Sequence, residues 1–217
     1  MNPMSSNIYL NVSKTLSHSR ANGPGVRAVI WVQGCTIGCD GCYSLSTHPH
    51  RKVHLVDPVE LAKWVCSIEG IEGVTLSGGE PFEQSEAVAE LLRSVKEIRP
   101  ELSFFLFTGY EFTVLQQPTN NHVQAVLELA DMLSSGPFVA ELYEINLLWR
   151  GSSNQQLVYL SGRYSADNEP AWCSDSPVEE IYMQNQKLEY TGFKGKSGPI
   201  YNHLKKLNLN DDIPPTN

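Results

Sequence analysis

The stretch Trp31-Val32-Gln33-Gly34-Cys35-Thr36-Ile37-Gly38-Cys39-Asp40-Gly41-Cys42-Tyr43 decides how the rest of the chain is read. It holds three of the five cysteines, spaced C-x3-C-x2-C. Three thiolates in one short loop make a soft, electron-rich metal site. They are one short of filling a tetrahedral ion or a four-iron cluster. An incomplete shell suits a reactive centre, because substrate takes the remaining position, whereas a closed shell suits a structural one. Gly34, Gly38 and Gly41 let the backbone wrap closely around a bound group. The apolar, β-branched run over residues 28–33 predicts a buried strand leading into this loop.

Taken alone, the loop admits three other uses. A disulfide framework fits poorly with an odd cysteine total and with polar residues 1–7, where no secretory leader is expected. A structural zinc site would need a fourth ligand, His48 or His50. A dithiol redox motif, Cys39-Asp40-Gly41-Cys42, would need a strand-then-helix context that is not evident.

A second motif is Val74-Thr75-Leu76-Ser77-Gly78-Gly79-Glu80-Pro81-Phe82. It reads as an apolar strand ending in two glycines, a carboxylate and a proline. Paired glycines at a strand's end allow a ligand to approach the backbone, and Glu80 there can accept from an ammonium group. In parallel α/β folds, sites sit at the C-terminal ends of strands. The bland alternative is a tight turn with an incidental Glu.

The two motifs together resemble the radical S-adenosylmethionine (SAM) superfamily. Further pieces resemble its glycyl-radical-enzyme activating branch, and within it most of all the activators of anaerobic ribonucleotide reductase. They are Gly23-Pro24-Gly25-Val26-Arg27, Thr108-Gly109-Tyr110, Ser135-Gly136-Pro137-Phe138 and Leu148-Trp149-Arg150-Gly151-Ser152-Ser153-Asn154-Gln155. The resemblance spans residues 23–155. Two positions depart from the pattern: Ser135 stands where Asp is usual, and Ser44 where Asn is usual.

The resemblance implies that Cys35, Cys39 and Cys42 ligate three irons of a [4Fe-4S] cluster and that SAM chelates the fourth. Gly78, Gly79 and Glu80 would hold its methionine end, Tyr43 with Gly41 would lie near the adenine, and Cys42 would count among the cofactor-binding residues. Reductive cleavage of SAM would yield a 5′-deoxyadenosyl radical that abstracts hydrogen, installing a glycyl radical on a partner enzyme. Thr108 and Tyr110 would line the same mouth, Asn154 and Gln155 would bond SAM or close the barrel, and Trp149 and Arg150 would face the partner, with a buried structural role as the alternative for Arg150. Cys66 and Cys173 are too few for a second cluster, so an external flavodoxin or ferredoxin is the expected electron donor. Rival functions are a radical SAM enzyme acting on a peptide or small molecule, and a non-catalytic zinc-binding module.

The 217 residues are 41% hydrophobic with a net charge of −8. That disfavours nonspecific nucleic-acid binding. No apolar run reaches the roughly 18 residues of a membrane span, and a reducing cytoplasm is the expected compartment. Residues 8–12 suggest an edge strand, and residues 47–56 a solvated loop with His48, His50 and His54. Asp57-Pro58 caps a helix to about residue 68. A strand over 74–77, a helix over 85–98, a strand over 102–107, a helix over 122–129 and a strand over 131–133 follow, which argues for βαβ units and a parallel sheet. This span is too short for a full eight-fold barrel of about 200–250 residues. A partial, open (β/α) barrel is what the resemblance implies, with residues 1–160 as the core domain. Residues 161–217 form a short C-terminal β appendage and frayed tail, with a hairpin over 180–193 and Cys173 in a polar loop before it.

Overall fold

In the computed structural model, which describes residues 8–118, 120–144, 147–177, 179–184 and 187–192, the strand leading into the cysteine loop is β2, Arg27–Val32. Its six residues are all buried. It pairs antiparallel with β1, Leu10–Ser19, and parallel with β4, Gly73–Gly78. β4 pairs parallel with β5, Ser103–Thr108, and β5 with β6, Met132–Ser135. Antiparallel strands lie at the two margins: β3, His54–Val56, beside β1, and β7, Gln156–Tyr159, beside β6. Among the described residues the sheet therefore has seven strands in the order β3-β1-β2-β4-β5-β6-β7, parallel at its centre. The molecule is a mixed α/β protein.

Helices connect the parallel strands, as βαβ crossovers require. α1, Pro58–Cys66, starts at Asp57, whose carboxylate accepts from the amides of Val59 and Glu60. That cap and a proline in the first turn preset the helix. α2, Ser85–Ile98, buries Val88, Leu91, Leu92 and Val95 along one stripe. α3, Phe112–Leu115, and α4, Asn121–Leu129, join β5 to β6. Successive strand residues face opposite sides of the sheet. Ala28, Ile30, Val32, Val74, Leu76, Phe104, Leu106 and Leu133 join Leu61, Val65, Leu91 and Leu92 of the helices in the main core.

The opposite face carries no crossover helix and is packed by other means. Arg27, fully buried at the start of β2, donates to Thr75 Oγ1, the Pro24 carbonyl, Ser103 Oγ, the Val74 carbonyl and the Ser103 carbonyl. Desolvation lowers its pKa, but all five guanidinium donors are satisfied. Phe105 and Met132 pack with Leu148 and Trp149, and Trp172 and Tyr164 lie against them. Trp172 belongs to α5, Glu169–Asp175. A hairpin, β8 (Glu179–Gln184) and β9 (Lys187–Gly192), completes the cover. Glu180 accepts from Ser19 Oγ and from the amides of Arg20 and Ala21, and Tyr182 packs on Leu16, Val29 and Trp31.

Several expectations needed correcting. The strand expected over residues 8–12 runs Leu10–Ser19 and lies inside the sheet, because β3 pairs with its outer side. That pairing also puts residues 54–56 of the expected solvated loop into a strand. Cys173 is exposed on α5 rather than in a loop, since Glu169-Pro170 opens a helix there. The 180–193 hairpin forms, although residues 185, 186 and 193 and the tail lie outside the described residues. Among the described residues no helix is long and apolar enough to cross a membrane.

Leu91 is fully buried at the α2–sheet interface. Leu91→Ala should lower unfolding free energy by about 2–5 kcal/mol in urea titrations. Val114→Ala, at a 47% exposed position, should cost no more than about 0.5 kcal/mol.

Candidate functional site: the cysteine loop and the Gly-Gly-Glu strand end

Parallel pairing of β2 with β4 carries the two motifs to the same end of the sheet, with Val32 opposite Gly78. The ladder continues past the strands. The Gly79 amide donates to the Val32 carbonyl at 2.8 Å, and the Glu80 amide to the Gly34 carbonyl at 2.8 Å. A Cβ at Gly79 would collide with the Gly34 carbonyl and lie 2.9 Å from its nitrogen. Only glycine permits this approach. Gly79 therefore touches the residue immediately before Cys35.

The loop itself is held at both ends. The Gly34 amide donates to the Thr47 carbonyl, and the Cys35 amide to the His48 carbonyl at 3.0 Å. The Thr36 amide donates to Glu83 Oε1 at 2.8 Å, and the Thr36 hydroxyl donates to the same oxygen. Ile37 fills the space beside Gly109. Farther on, the Cys42 amide donates to the Cys39 carbonyl, and the Ser44 amide points at Cys42 Sγ at 3.4 Å. Burial pushes the Cys35 and Cys42 thiols up, and for Cys42 the neighbouring Cys39 and Cys35 thiols add to this. These groups must lose protons when a metal binds, so metal uptake would be coupled to proton release.

Glu80 is 1% exposed. Its Oε1 accepts from the Phe82 amide and Thr108 Oγ1, and its Oε2 from the Gly109 amide. It thereby ties the end of β4 to the end of β5. Burial outweighs these three donors and raises its pKa to about 7, so the carboxyl is poised to favour any cation brought beside it.

The downstream motifs arrive at the same place. Tyr43 meets Phe138 edge-on, with ring centroids 5.4 Å apart. A Cβ at Gly151 would sit 2.9 Å from both rings, and one at Gly41 would sit 3.4 Å from Phe138. Burial and the Tyr143 phenol push the Tyr43 phenol well above its ordinary value. Gln155 Oε1 accepts from the Gly151 and Ser152 amides while its Nε2 donates to the Gly136 carbonyl. Asn154 Nδ2 donates to the Pro137 carbonyl, and its buried Oδ1 has no partner among the described residues. The side-chain bonds of Asn154 and Gln155 thus brace one loop against another.

Other expected residues serve the frame. Thr108 is spent on Glu80. Trp149 is 1% exposed with φ +51° and packs on Phe105 and Trp172, so it does not face a partner. Arg150 pairs with Glu169 at 3.3 Å, which favours the structural alternative. Ser135 Oγ donates to the Tyr110 carbonyl at 2.8 Å, a bond that a carboxylate in its place could not make. Sequence reasoning missed Glu83. The available signal was a second Glu one helical turn after Glu80.

The donor set fits an iron–sulfur cluster. Three thiols, soft ligands for iron, share one loop. A four-iron cube carries its thiolates at separate corners. His50 stands beside Gly34 and 3.6 Å from Glu83.

The model of a family described as a 4Fe-4S single cluster domain matches residues 21–158. Three similar curated proteins are each named anaerobic ribonucleoside-triphosphate reductase-activating protein. That of Vibrio cholerae is 34% identical over 140 residues, covering 62% of this chain and 88% of the relative. That of phage T4 is 37% identical over 144 residues, covering 63% and 85%. That of Escherichia coli K12 is 34% identical over 149 residues, covering 64% and 92%.

The raised pKa of Glu80 has a stability consequence of definite sign. The folded state holds a proton that the unfolded chain releases near the ordinary value of 4.5, so stability falls as pH rises from there to about 7. The loss is on the order of 3 kcal/mol for the apoprotein. Urea denaturation across that window should show this decline in the wild type and a shallower one in Glu80→Gln.

Proposed function

Since this chain belongs to the 4Fe-4S single cluster domain family and to that of the anaerobic ribonucleoside-triphosphate reductase-activating proteins, we propose that it is a radical SAM activase. It installs a glycyl radical on a partner enzyme, an anaerobic ribonucleoside-triphosphate reductase or a close analogue. The observation that carries this reading is the contact of Gly79 with Gly34, which supports a shared seat for a cluster and a sulfonium donor.

Cys35, Cys39 and Cys42 would hold the [4Fe-4S] cluster. Gly78, Gly79 and Glu80 would receive the methionine end of SAM, and Gly41 and Tyr43 would border its adenine. When bound, these cofactors supply the electron and the carbon radical that takes hydrogen from substrate. The chain supplies orientation and shelter. The glycine backbones leave room for a ligand to lie directly against the strand ends. Glu80 offers a buried carboxylate whose ionisation an ammonium group would favour. Tyr43, Phe138 and Ile37 present apolar surface beside the loop.

The fold is a partial, open (β/α) barrel whose interior is the face opposite the helices. Residues 1–160 are its core domain and residues 161–217 an appendage, of which the hairpin lines that interior. Cys66 ends α1 and Cys173 lies on α5, so one-electron supply falls to an external flavodoxin or ferredoxin. The reducing cytoplasm is the compartment in which such thiols persist. A second reading, a radical SAM enzyme acting on a peptide or small molecule, draws on Tyr164, Trp172 and Tyr182, which lie beyond the matched region and pack on the interior face.

Anaerobic reconstitution should give about four irons and four sulfides per chain, and substitution of Cys35, Cys39 or Cys42 by Ala should abolish stable uptake. Incubation with the reductase, SAM and a reductant should produce a glycyl-radical EPR signal on the partner. Production of 5′-deoxyadenosine with modification of a peptide or small molecule, and no protein radical, would favour the second reading. About eight irons per chain would contradict the single-cluster assignment.

A further inference from the structure

Glu83 lies against the cysteine loop, yet belongs to neither motif. We infer that Glu83 is a positioning residue for the cysteine loop, holding Cys35 through Thr36 and placing a fixed negative charge beside the first thiolate. The inference rests on the reading of Cys35 as a cluster ligand.

Four observations carry it. Both donors of Thr36, amide and hydroxyl, converge on one oxygen of Glu83. Two bonds to one atom fix the backbone directly after Cys35, where a single bond would leave it free to swivel. The other oxygen faces His50 Nε2 at 3.6 Å, and the His50 ring lies against Gly34, directly before Cys35. The carboxylate thus braces the loop's entry from both sides of the cysteine. Glu83 sits on a rigid mount: its amide donates to the Glu80 carbonyl, and the adjacent Phe82 is 5% exposed in the core. Its side chain is only 15% exposed, so water screens its charge weakly.

A bystander carboxylate would make the Thr36 bonds without affecting what the cysteines hold. A charged brace does two separable things. It restrains Cys35, which slows loss of a bound cluster. It also adds negative charge next to the group that must accept an electron, which lowers the cluster's reduction potential because the reduced state is the more negative one.

Two variants separate these effects, each reconstituted anaerobically as the full chain and checked for fold by circular dichroism. In Glu83→Gln the amide oxygen can still accept from Thr36 while the charge is gone. Its cluster content should match the wild type, and its midpoint potential, read by EPR-monitored redox titration, should rise. A tenfold shift in the reduction equilibrium corresponds to about 59 mV for one electron, and the expected rise is of that order or somewhat below. Glu83→Ala loses both effects and should release iron to a chelator several-fold faster than Glu83→Gln. Equal potentials for the wild type and Glu83→Gln would overturn the charge role. Equal iron-release rates for all three proteins would overturn the positioning role. A wild type that takes up no cluster would instead overturn the functional reading on which the inference stands.

Discussion

Everything in this molecule depends on two backbone hydrogen bonds just beyond the ends of β2 and β4, from Gly79 to Val32 and from Glu80 to Gly34. They extend a parallel ladder past the last strand residues, so the turn after β4 is zipped onto the loop after β2. Parallel pairing directs both chain exits toward the same end of the sheet. Glycine at 79 permits the approach, because any side chain there would strike the Gly34 carbonyl. The cysteine loop is thereby built against a neighbouring strand end and does not float above the sheet.

From that junction the supports spread in layers. Glu80 links β4 to β5 through Thr108 and the Gly109 amide, and Ile37 of the cysteine loop rests beside Gly109. Tyr43 reaches Phe138 beyond β6, and Gln155 and Asn154 brace the loops before β7. A loop with three thiols thus gains fixed contacts from successive strand ends. This is the preorganisation that a site handling a reactive intermediate needs, since a small misplacement of reacting groups is costly.

Much of the frame was legible in the sequence because it obeys local rules. The Asp57-Pro58 cap and the stripe Val88, Leu91, Leu92, Val95 specify helices whose observed bounds differ little from the expected ones. The two motifs were readable because cysteine spacing and paired glycines are rare without a chemical reason. What sequence reading missed depends on long-range partners. β1 looked like a short edge strand because its polar residues after Val12 hide a pairing with β2 on one side and β3 on the other. Trp149 looked like a surface aromatic, yet its positive φ turns it into the second core. Glu83 was passed over, despite its place one turn after Glu80, because its importance lies in Thr36, 47 positions away. The segment after residue 160 carries little periodicity, and its role emerges only from Glu180 meeting Ser19, Arg20 and Ala21.

The central claim is that the glycine-lined strand end and the cysteine loop form one seat, in which SAM binds the cluster through its amino and carboxylate groups. Electron–nuclear double resonance on the reduced, reconstituted protein, using SAM labelled with nitrogen-15 at the amino group and oxygen-17 at the carboxylate, tests this most directly. The account predicts that both labelled atoms couple to the cluster spin with the strength of directly bonded ligands, and that the couplings disappear in Gly79→Val. A reduced cluster that shows no coupling to either label in the presence of saturating SAM would contradict it.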